Sequence, residues 1–503
     1  MSSEQCSLPV EDESFSRNYG DTTSQSSTGY REAGKWREAI EGKKLTSFSY
    51  LGEEMVGSEV LVRGRVETNR TKSSRLGFLV LRERGLTVQC VATQSEATKV
   101  SANMIKYIKQ LTKESVVDLI GIVVKPKDEV KGTTQKKVEI QVRKLYCVVR
   151  APSNPPPLLV EDAARSEEES ERPVANQDTR LNYRAIDLRT PANQAIFSIR
   201  CQVETAFREF LLFNDFVGIN TPKLMAGGSE GGSAVFRLDY FGQPACLAQS
   251  PQLHKQMAIC GGLQRVFEVG PVSRAEKSFT HRHLCEFIGL DVEMEILSHY
   301  SEIMDIVDEL FVQIFTKLNE RCTKELEAVG KQFPFLPLKF LPKTLRLTFA
   351  EGIQMLKDAG VEVDPLGDLN TESERKLGQL VLEKYDTEFY MLHRYPSAVR
   401  PFYTMPCEDD PRYSNSFDVF IRGEEIISGA QRIHMPEFLE KRAGECGIDL
   451  KTIEAYIDSF RYGATPPHGG FGAGLERVVM LFLALDNIRK TSLFPRDPNR
   501  LAP

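Results

Sequence analysis

Arginine, histidine and carboxylate side chains gather in one stretch of the chain, and their types suit chemistry on a phosphate group. Two strand-like segments, Val269–Glu276 and Gly289–Glu293, are joined by a polar loop that carries Arg282 and His283, and Arg274 lies in the first segment. Arginine suits phosphate because its planar guanidinium is permanently charged and makes bidentate contacts. This cluster therefore predicts an anion-binding surface.

Two further clusters follow in the same half of the chain. Glu425 and Ser428, within Phe417–Arg432, offer oxygen ligands that suit a hard cation such as Mg²⁺, which usually also binds phosphate oxygens. The segment His468–Arg477 is rich in glycine and predicts a loop whose backbone approaches a ligand closely. Arg477 then begins a helix beneath that loop.

Each cluster also has a plain structural interpretation. His281 and His283 could bind zinc, but two more ligands at metal spacing are missing. Glycines also serve ordinary turns, and Arg477 alone could form a structural ion pair. It is the order of the three clusters that favours a catalytic site.

The elements that must position these residues belong to a mixed α+β domain. Apolar residues at helical spacing predict two amphipathic helices, one over Ile196–Phe210 and one over Ile303–Leu318. Strand-like runs lie around them at Arg265–Gly270, Ile288–Met294, Phe417–Phe420 and Glu425–Ser428. Because no βαβ repeat is present, we expect a mixed, largely antiparallel sheet rather than a Rossmann fold.

A basic segment precedes this domain. Gly57–Arg150 holds 19 basic and 9 acidic residues (+10), and the rest holds 45 and 61 (−16), which together give the net charge of −6. The segment predicts three strands, a helix and two strands, the order of a five-stranded OB barrel. A basic OB barrel favours single-stranded nucleic acid as its ligand, although lysine-rich loops also occur as a solvated face.

Composition sets the remaining boundaries. Residues 1–45 are poor in apolar side chains and predict a mostly disordered extension, so Trp36 is not expected in a core. We expect the OB domain over 46–150, a proline-rich and acidic linker over 151–181, and the catalytic domain over 182–503. No apolar run approaches the ~20 residues that span a bilayer, so no membrane association is expected. No secretory signal is recognised, and ten dispersed cysteines favour a reduced, cytosolic protein.

The three clusters, in this order, resemble motif 2, the strand before motif 3, and motif 3 of the class II aminoacyl-tRNA synthetases. From about Gly57 to Pro503, including the hinge Asn176–Asn182 and the terminal Phe494–Pro498, the chain is similar to the eukaryotic cytosolic aspartyl-tRNA synthetases. The resemblance implies an OB-fold anticodon-binding domain and a class II catalytic domain with a mixed, mainly antiparallel sheet flanked by helices. It also implies activation of L-aspartate with ATP, release of pyrophosphate, and transfer of aspartate to the 3′ end of tRNA(Asp).

The resemblance also implies the residues that bind aspartate. They are Ser229, Glu230, Gln252, Lys255, Asp291, Ser428 and Arg432. Lys255 and Arg432 would pair with the side-chain carboxylate, and Asp291 and Glu230 would pair with the ammonium group. Glu230 belongs to a loop that closes over the amino acid in this family.

A second implied set binds ATP and Mg²⁺. For ATP it comprises Arg274, Glu276, Arg282, His283, Leu284, Phe287, Glu425, Gly474 and Arg477. Phe287 would stack on adenine opposite Arg477, and Arg274, His283 and Arg477 would supply positive charge in the transition state. Asp418, Glu425 and Ser428 resemble the Mg²⁺ ligands. The chain departs from the family at His254, Lys277 and Phe471.

Outside the active site the resemblance implies three contacts. Arg70, Phe78, Gln89 and Glu139 match anticodon-binding positions, although Phe78 could instead belong to the barrel core. Pro222 matches the proline of motif 1, which implies a homodimer. The resemblance is also compatible with a complex between this protein and other synthetases.

Several rival functions share some of these features. Asparaginyl-tRNA synthetase shares the motifs, but a neutral amide does not need the cation of Lys255. Lysyl-tRNA synthetase conflicts with the two cations Lys255 and Arg432. A non-catalytic tRNA-binding paralogue should have lost Arg274, Glu425 or Arg477. A free-standing asparagine synthetase relative would not need the barrel.

Overall fold

The computed structural model describes residues 13–22, 34–166, 174–226 and 235–503. The chain divides into two compact units, one of Met1–Ala164 with Ala185–Gln194 and the other of Arg165–Arg184 with Ala195–Pro503. The ten residues from Ala185 to Gln194 thus group with the first unit, although the sequence analysis began the catalytic domain at residue 182.

The first unit is a closed barrel, which confirms the predicted OB fold. Its strands are β1 Tyr19–Asp21, β2 Glu59–Ser73, β3 Leu76–Glu83, β4 Leu86–Thr93, β5 Val116–Val124 and β6 Glu139–Val149. Its helices are α1 Glu13–Ser16, α2 Gly34–Ile40, α3 Ala102–Gln110 and α4 Val160–Ala163, with short 3₁₀ turns at Phe48–Tyr50 and Glu53–Met55. The sheet order is β1-β6-β4-β3-β2-β5, and an added pairing of β5 with β6 closes the barrel.

Part of the N-terminal extension is built into this barrel, so the structure differs there from the predicted disorder. Strand β1 pairs in parallel with β6, with Tyr19 opposite Leu145. The half-buried Trp36 on α2 donates its indole N–H to Oδ2 of Asp118 at 2.8 Å. Ala39 of the same helix packs against Leu61 on the outside of the barrel. Apolar side chains that point out of the barrel need a cover, and the extension supplies it.

The second unit is a mixed α+β domain, as predicted. Its strands are β7 Val217–Gly218, β8 Leu224–Met225, β9 Arg237–Tyr240, β10 Gln243–Leu247, β11 Arg265–Ser273, β12 Glu286–Glu295, β13 Leu345–Thr348, β14 Phe389–His393, β15 Ser416–Ile421, β16 Glu424–Gln431 and β17 His468–Gly474. Its larger sheet has the order β13-β14-β15-β16-β17-β12-β11-β7, and only its two outer pairings are parallel. Strands β8, β10 and β9 form a second, three-stranded sheet.

Eleven more helices follow α4 along the described chain. They are α5 Gln177–Asn182, α6 Arg184–Asp187, α7 Pro191–Phe213, α8 Gln252–Cys260, α9 Ser301–Arg321, α10 Thr323–Gln332, α11 Phe349–Asp358, α12 Thr371–Tyr385, α13 Pro436–Glu445, α14 Glu454–Arg461 and α15 Leu475–Phe482, with 3₁₀ turns at Ser397–Val399, Leu450–Ile453 and Ile488–Lys490. Most of α6 and the first residues of α7 fall in the stretch that groups with the first unit. The two predicted amphipathic helices are α7 and α9, and their apolar faces join one core with the central strands. No helix among the described residues is both long and apolar enough to cross a membrane. The described cysteines are all free thiols.

Candidate active site

The cavity that gathers the predicted residues lies over the central strands β12, β16 and β17 and has a volume of about 440 Å³. The predicted residues that line it are Gln252, Arg274, Glu276, Arg282, His283, Leu284, Phe287, Asp291, Glu425, Ser428, Arg432, Gly474 and Arg477. Lys255 and Asp418 are buried and contact lining residues. Ser229 and Glu230 lie outside the described residues.

Strand register explains why distant motifs meet. Asp418 of β15 pairs with Ser428 of β16, Ser428 pairs with Gly472 of β17, and Gly472 pairs with Asp291 of β12. One cross-strand row therefore joins two predicted metal ligands to the predicted ammonium anchor. Side chains directly opposite in a sheet lie on the same face, so these polar groups point to one side.

The glycine-rich segment is a strand, not the loop that the sequence predicted. Strand β17 lies between β12 and β16, in the middle of the sheet. A Cβ atom at Gly470 would lie 2.0 Å from the backbone oxygen of Val292, and one at Gly469 would lie 2.5 Å from that of Ala430. The glycines are thus required by close strand packing. Phe471, which departs from the family pattern, points into the core and is completely buried.

Two buried cations lie at the inner end of the cavity, each beside a carboxylate. Nζ of Lys255 lies 3.0 Å from Oδ1 of Asp291 and 3.6 Å from Oε2 of Glu293. Arg432 holds Glu293 through Nε–Oε1 at 2.9 Å and Nη2–Oε2 at 3.2 Å, and also donates to Oε1 of Gln252 at 3.2 Å. Burial would raise the pKa of Glu293, but Arg432 and Lys255 bring it below its ordinary value. Sequence reasoning missed Glu293, which gave no signal beyond its place in a polar strand.

The other end of the cavity combines an aromatic ring with arginines. The guanidinium of Arg274 lies 5.6 Å from the ring centroid of Phe287. The position that a Cβ of Gly474 would take is 3.8 Å from the Phe287 ring and 3.8 Å from Cβ of Arg477. Arg477 donates to the backbone oxygens of Glu425 at 3.0 Å and Arg282 at 3.2 Å. Phe287 and Arg477 thus flank a gap that the missing side chain of Gly474 leaves open.

The loop between β11 and β12 brings His283 and Arg282 to the cavity wall. Nη1 of Arg282 contacts Oε2 of Glu374 on α12 at 2.7 Å. Nδ1 of His283 lies 3.2 Å from the hydroxyl of Ser278. Burial, reinforced by Arg477 and Arg282, lowers the pKa of His283 to about 4. At that pKa the imidazole is neutral at pH 7, which does not favour the positive charge predicted for His283.

A bulge places the predicted metal ligands together. Residues three apart in a strand normally face opposite sides, yet the register shift between Val419 and Phe420 of β15 inserts one extra residue into β16. Glu425 and Ser428 therefore both line the cavity. Burial and then the charge of Asp418 raise the pKa of Glu425 to about 7. No described residue donates a hydrogen bond to the Glu425 carboxylate, so this oxygen set fits a divalent cation.

Arg400 is a cavity residue that the sequence analysis missed. Its Nη2 lies 2.7 Å from Oδ2 of Asp418, and its Nη1 lies 2.9 Å from both Oδ1 of Asp418 and the hydroxyl of Ser428. Arg400 stands in the loop before β15, outside all three clusters, so nothing in its spacing marked it.

Comparison with known proteins decides the family. Residues 176–498 match the model "tRNA synthetases class II (D, K and N)", and residues 60–148 match "OB-fold nucleic acid binding domain". The chain is 74% identical, over 98% of its length and 90% of the relative, to the cytoplasmic aspartate–tRNA ligase 2 of Arabidopsis thaliana. The chain belongs to the aspartate–tRNA ligases.

Other relatives agree. The ligase is 52% identical to the cytoplasmic aspartate–tRNA ligase of Homo sapiens over 88% of each chain. The solved aspartyl-tRNA synthetase of Entamoeba histolytica superposes with a TM-score of 0.85 at 42% identity, covering 97% of this chain and 96% of that one. These findings confirm the predicted family, fold and enzyme class.

The predicted anticodon residues form two neighbouring pairs on the barrel of the ligase. Arg70 lies opposite Phe78 between β2 and β3, with its guanidinium 5.0 Å from the ring centroid. Nε2 of Gln89 donates to Oε2 of Glu139 at 2.8 Å. Phe78 is half-buried, whereas its neighbour Leu79 is completely buried in the barrel core. Phe78 thus lies on the outer face, against the alternative that it belongs to the core.

The segment around Pro222 is anchored to the catalytic sheet of the ligase. Thr221 donates its hydroxyl to Oε2 of the buried Glu268 at 2.7 Å, and Nζ of Lys223 lies 2.7 Å from Oε1. Large apolar side chains remain exposed close by in the chain: Leu212, Phe213, Val217 and Leu224.

Proposed function

We propose that the ligase binds L-aspartate at the inner end of the cavity, with Lys255 and Arg432 facing its side-chain carboxylate. The main support is that two buried cations and two buried carboxylates, Asp291 and Glu293, lie together at this end of the cavity. Asp291, together with Glu230, would hold the substrate ammonium group. A neutral amide could not satisfy Lys255, and a lysine side chain would be repelled.

Gln252 and Ser428 line the same cavity and would orient the substrate by hydrogen bonds, and Ser229 belongs to the loop proposed to close over it. This set positions the α-carboxylate for attack on the α-phosphorus of ATP, with pyrophosphate as the leaving group.

ATP would occupy the other end of the cavity. Phe287 would stack on adenine opposite Arg477, Gly474 would leave the space that the ring needs, and Glu276 and backbone at Leu284 would hold the adenine edge. Arg274 would contact the α-phosphate, and Arg282 the outer phosphates. Fixed charges aimed at the reacting phosphate stabilise the negative charge that spreads over it in the transition state. His283, being neutral, would act there as a hydrogen-bond donor.

A cation site at Asp418, Glu425 and Ser428 would serve this step. Mg²⁺, when bound there, would neutralise phosphate charge as a Lewis acid. The Glu425 carboxylate, which lines the cavity and has no donor among the described residues, supports this assignment. No protein nucleophile is required, because the substrate carboxylate is itself the attacking group.

The second step uses tRNA(Asp) as the acceptor. Its terminal adenosine hydroxyl would attack the adenylate, at the 3′ position in class II enzymes. On the barrel, Phe78 would stack on an anticodon base, and Arg70, Gln89 and Glu139 would read base edges or the backbone. The half-buried ring of Phe78, on the outer face of the barrel, supports this role.

The proposal extends to assembly and location. Exposed Leu212, Phe213 and Val217 near Pro222 support a homodimer, since exposed apolar patches mark interaction surfaces. A cytoplasmic location follows the names of the relatives. Association with other synthetases stays a prediction.

Removing one cation tests the assignment. Arg432→Leu should raise the KM for aspartate at least about 30-fold, because loss of one partner of a buried charge pair costs ~2–5 kcal/mol, while the KM for ATP changes little. Arg422→Leu removes an arginine from the turn between β15 and β16, where it contacts Glu388 at 2.7 Å, and serves as the matched control. Equal effects of the two variants on aspartate KM would refute the assignment.

A further inference from the structure

Arg400 makes the contacts in this structure that a bound cation would make. Its guanidinium holds both oxygens of Asp418 and the hydroxyl of Ser428, at 2.7–2.9 Å. Two of the three proposed metal ligands are therefore already engaged by one positive charge. Glu425, the third, receives no hydrogen bond from a described residue.

The guanidinium of Arg400 is only partly hydrogen-bonded. Its Nε is buried and has no hydrogen-bond partner among the described residues. Its guanidinium lies 3.9 Å from the ring centroid of Tyr395, a cation–π contact that does not involve Asp418 or Ser428. Since an arginine cannot lose its proton in a protein, Arg400 can release Asp418 and Ser428 only by moving.

We propose that Arg400 is a built-in counter-ion of the metal site, which Mg²⁺ must displace from Asp418 or Ser428 when it enters with ATP. The inference rests on the proposed metal site. It makes cation binding depend on ATP, because phosphate oxygens supply the ligands and the negative charge that compensate for moving Arg400. The free enzyme then binds a divalent cation weakly.

The alternative is that Arg400 only completes a structural ion pair. In that case its removal would leave cation binding unchanged or weaken it, since Asp418 would lose its orientation. The counter-ion role predicts the opposite change in cation affinity. Without the guanidinium, Asp418 and Ser428 can both bind the cation, so binding becomes tighter.

The test measures Mn²⁺ binding to the full chain without ATP, by electron paramagnetic resonance. Arg400→Gln, whose amide can still donate to Asp418, should bind Mn²⁺ at least tenfold more tightly than the unmodified enzyme. Arg422→Gln removes the same charge at the turn between β15 and β16 and should leave the affinity unchanged. Adding Asp418→Asn to Arg400→Gln should abolish the gain. Unchanged or weaker Mn²⁺ binding by Arg400→Gln would overturn the inference.

Two further variants keep the outcomes distinct. Should Arg400→Gln fail to fold in a thermal melt, Arg400→Lys, which replaces a bidentate contact by a single one, should still tighten Mn²⁺ binding about threefold, and no gain would overturn the inference. Glu425→Gln tests the metal site itself, since it should weaken Mn²⁺ binding in the presence of ATP. If Glu425→Gln has no effect, the proposed metal site fails. If it weakens binding and Arg400→Gln brings no gain, only the counter-ion role fails.

Discussion

The ammonium nitrogen of Lys255 lies 3.0 Å from Oδ1 of Asp291, and the lysine side chain is completely buried. Together with the pair Arg432–Glu293, this contact makes the inner end of the cavity electrically balanced before any ligand arrives. A buried charge is stable only beside a partner. Aspartate brings both a carboxylate and an ammonium group, so it can enter without leaving any of these four charges unpaired.

Glu293 should be essential for this balance. Glu293→Gln leaves Arg432 buried beside a neutral amide, which should lower the free energy of unfolding by about 3–5 kcal/mol, measured by urea titration. Glu204→Gln breaks an exposed pair with Arg208 on α7 and should cost no more than ~0.5 kcal/mol. A similar small cost for both substitutions would contradict the balanced-charge account.

The glycines of β17 should differ sharply in tolerance. Gly470→Ala forces a Cβ to within 2.0 Å of the Val292 oxygen, so the sheet must distort, at a cost of about 1–3 kcal/mol or more. Gly474→Ala meets its neighbours at an ordinary 3.8 Å and should fold normally. Because its methyl group enters the gap between Phe287 and Arg477, it should raise the KM for ATP severalfold. Thermal melts and ATP titrations of both variants would check this contrast, which fails if Gly470→Ala melts like the unmodified enzyme.

The neutral state of His283 has a pH signature. With its pKa lowered to about 4, His283 does not titrate between pH 5.5 and 8, so the ratio of ATP KM values for His283→Gln and the unmodified enzyme should be constant over that range. A cationic histidine would instead make the ratio change near pH 6.5. His283 also makes the stability of the fold depend on pH. Its contribution to the free energy of unfolding is fully present above pH 6.5 and is lost as the pH falls toward about 4, because the unfolded chain takes up the proton first.

Phe78 should matter for tRNA and not for adenylate formation. Phe78→Ala removes one stacking surface, worth ~1–3 kcal/mol per base, so kcat/KM for tRNA should fall about 5- to 150-fold. ATP–pyrophosphate exchange should not change. Val80→Ala truncates the next side chain on the same face of β3 and should leave both activities intact. Loss of exchange in Phe78→Ala would indicate a folding defect in place of lost recognition.

Much of this site could be predicted because charged residues in strands are costly unless they have a use. Arg274 and Asp291, in the strand-like segments, stood out in that way, and Arg477 stood out by its place just after the glycine run. The glycine run was assigned to a loop because glycine disfavours strands, and only the neighbouring backbones of Val292 and Ala430 show why no side chain fits in β17.

Other features depend on contacts that no local pattern carries. Arg400 reaches the metal side from a loop, and its importance arises from Asp418, which is 18 residues away. Trp36 lies in a polar segment, and its docking depends on the buried Asp118 of the barrel. In both cases a partner distant in the sequence decides the role of the residue.

The most direct test of the charge-pairing account is ATP–pyrophosphate exchange with aspartate, asparagine and lysine in parallel. The unmodified enzyme should exchange with aspartate alone. Lys255→Met should lose at least about 100-fold in kcat/KM for aspartate, since ~2.7 kcal/mol of binding to a buried charge disappears. Lys451→Met, which changes an exposed lysine, should behave like the unmodified enzyme. Full aspartate exchange by Lys255→Met, or exchange with asparagine by the unmodified enzyme, would contradict the account.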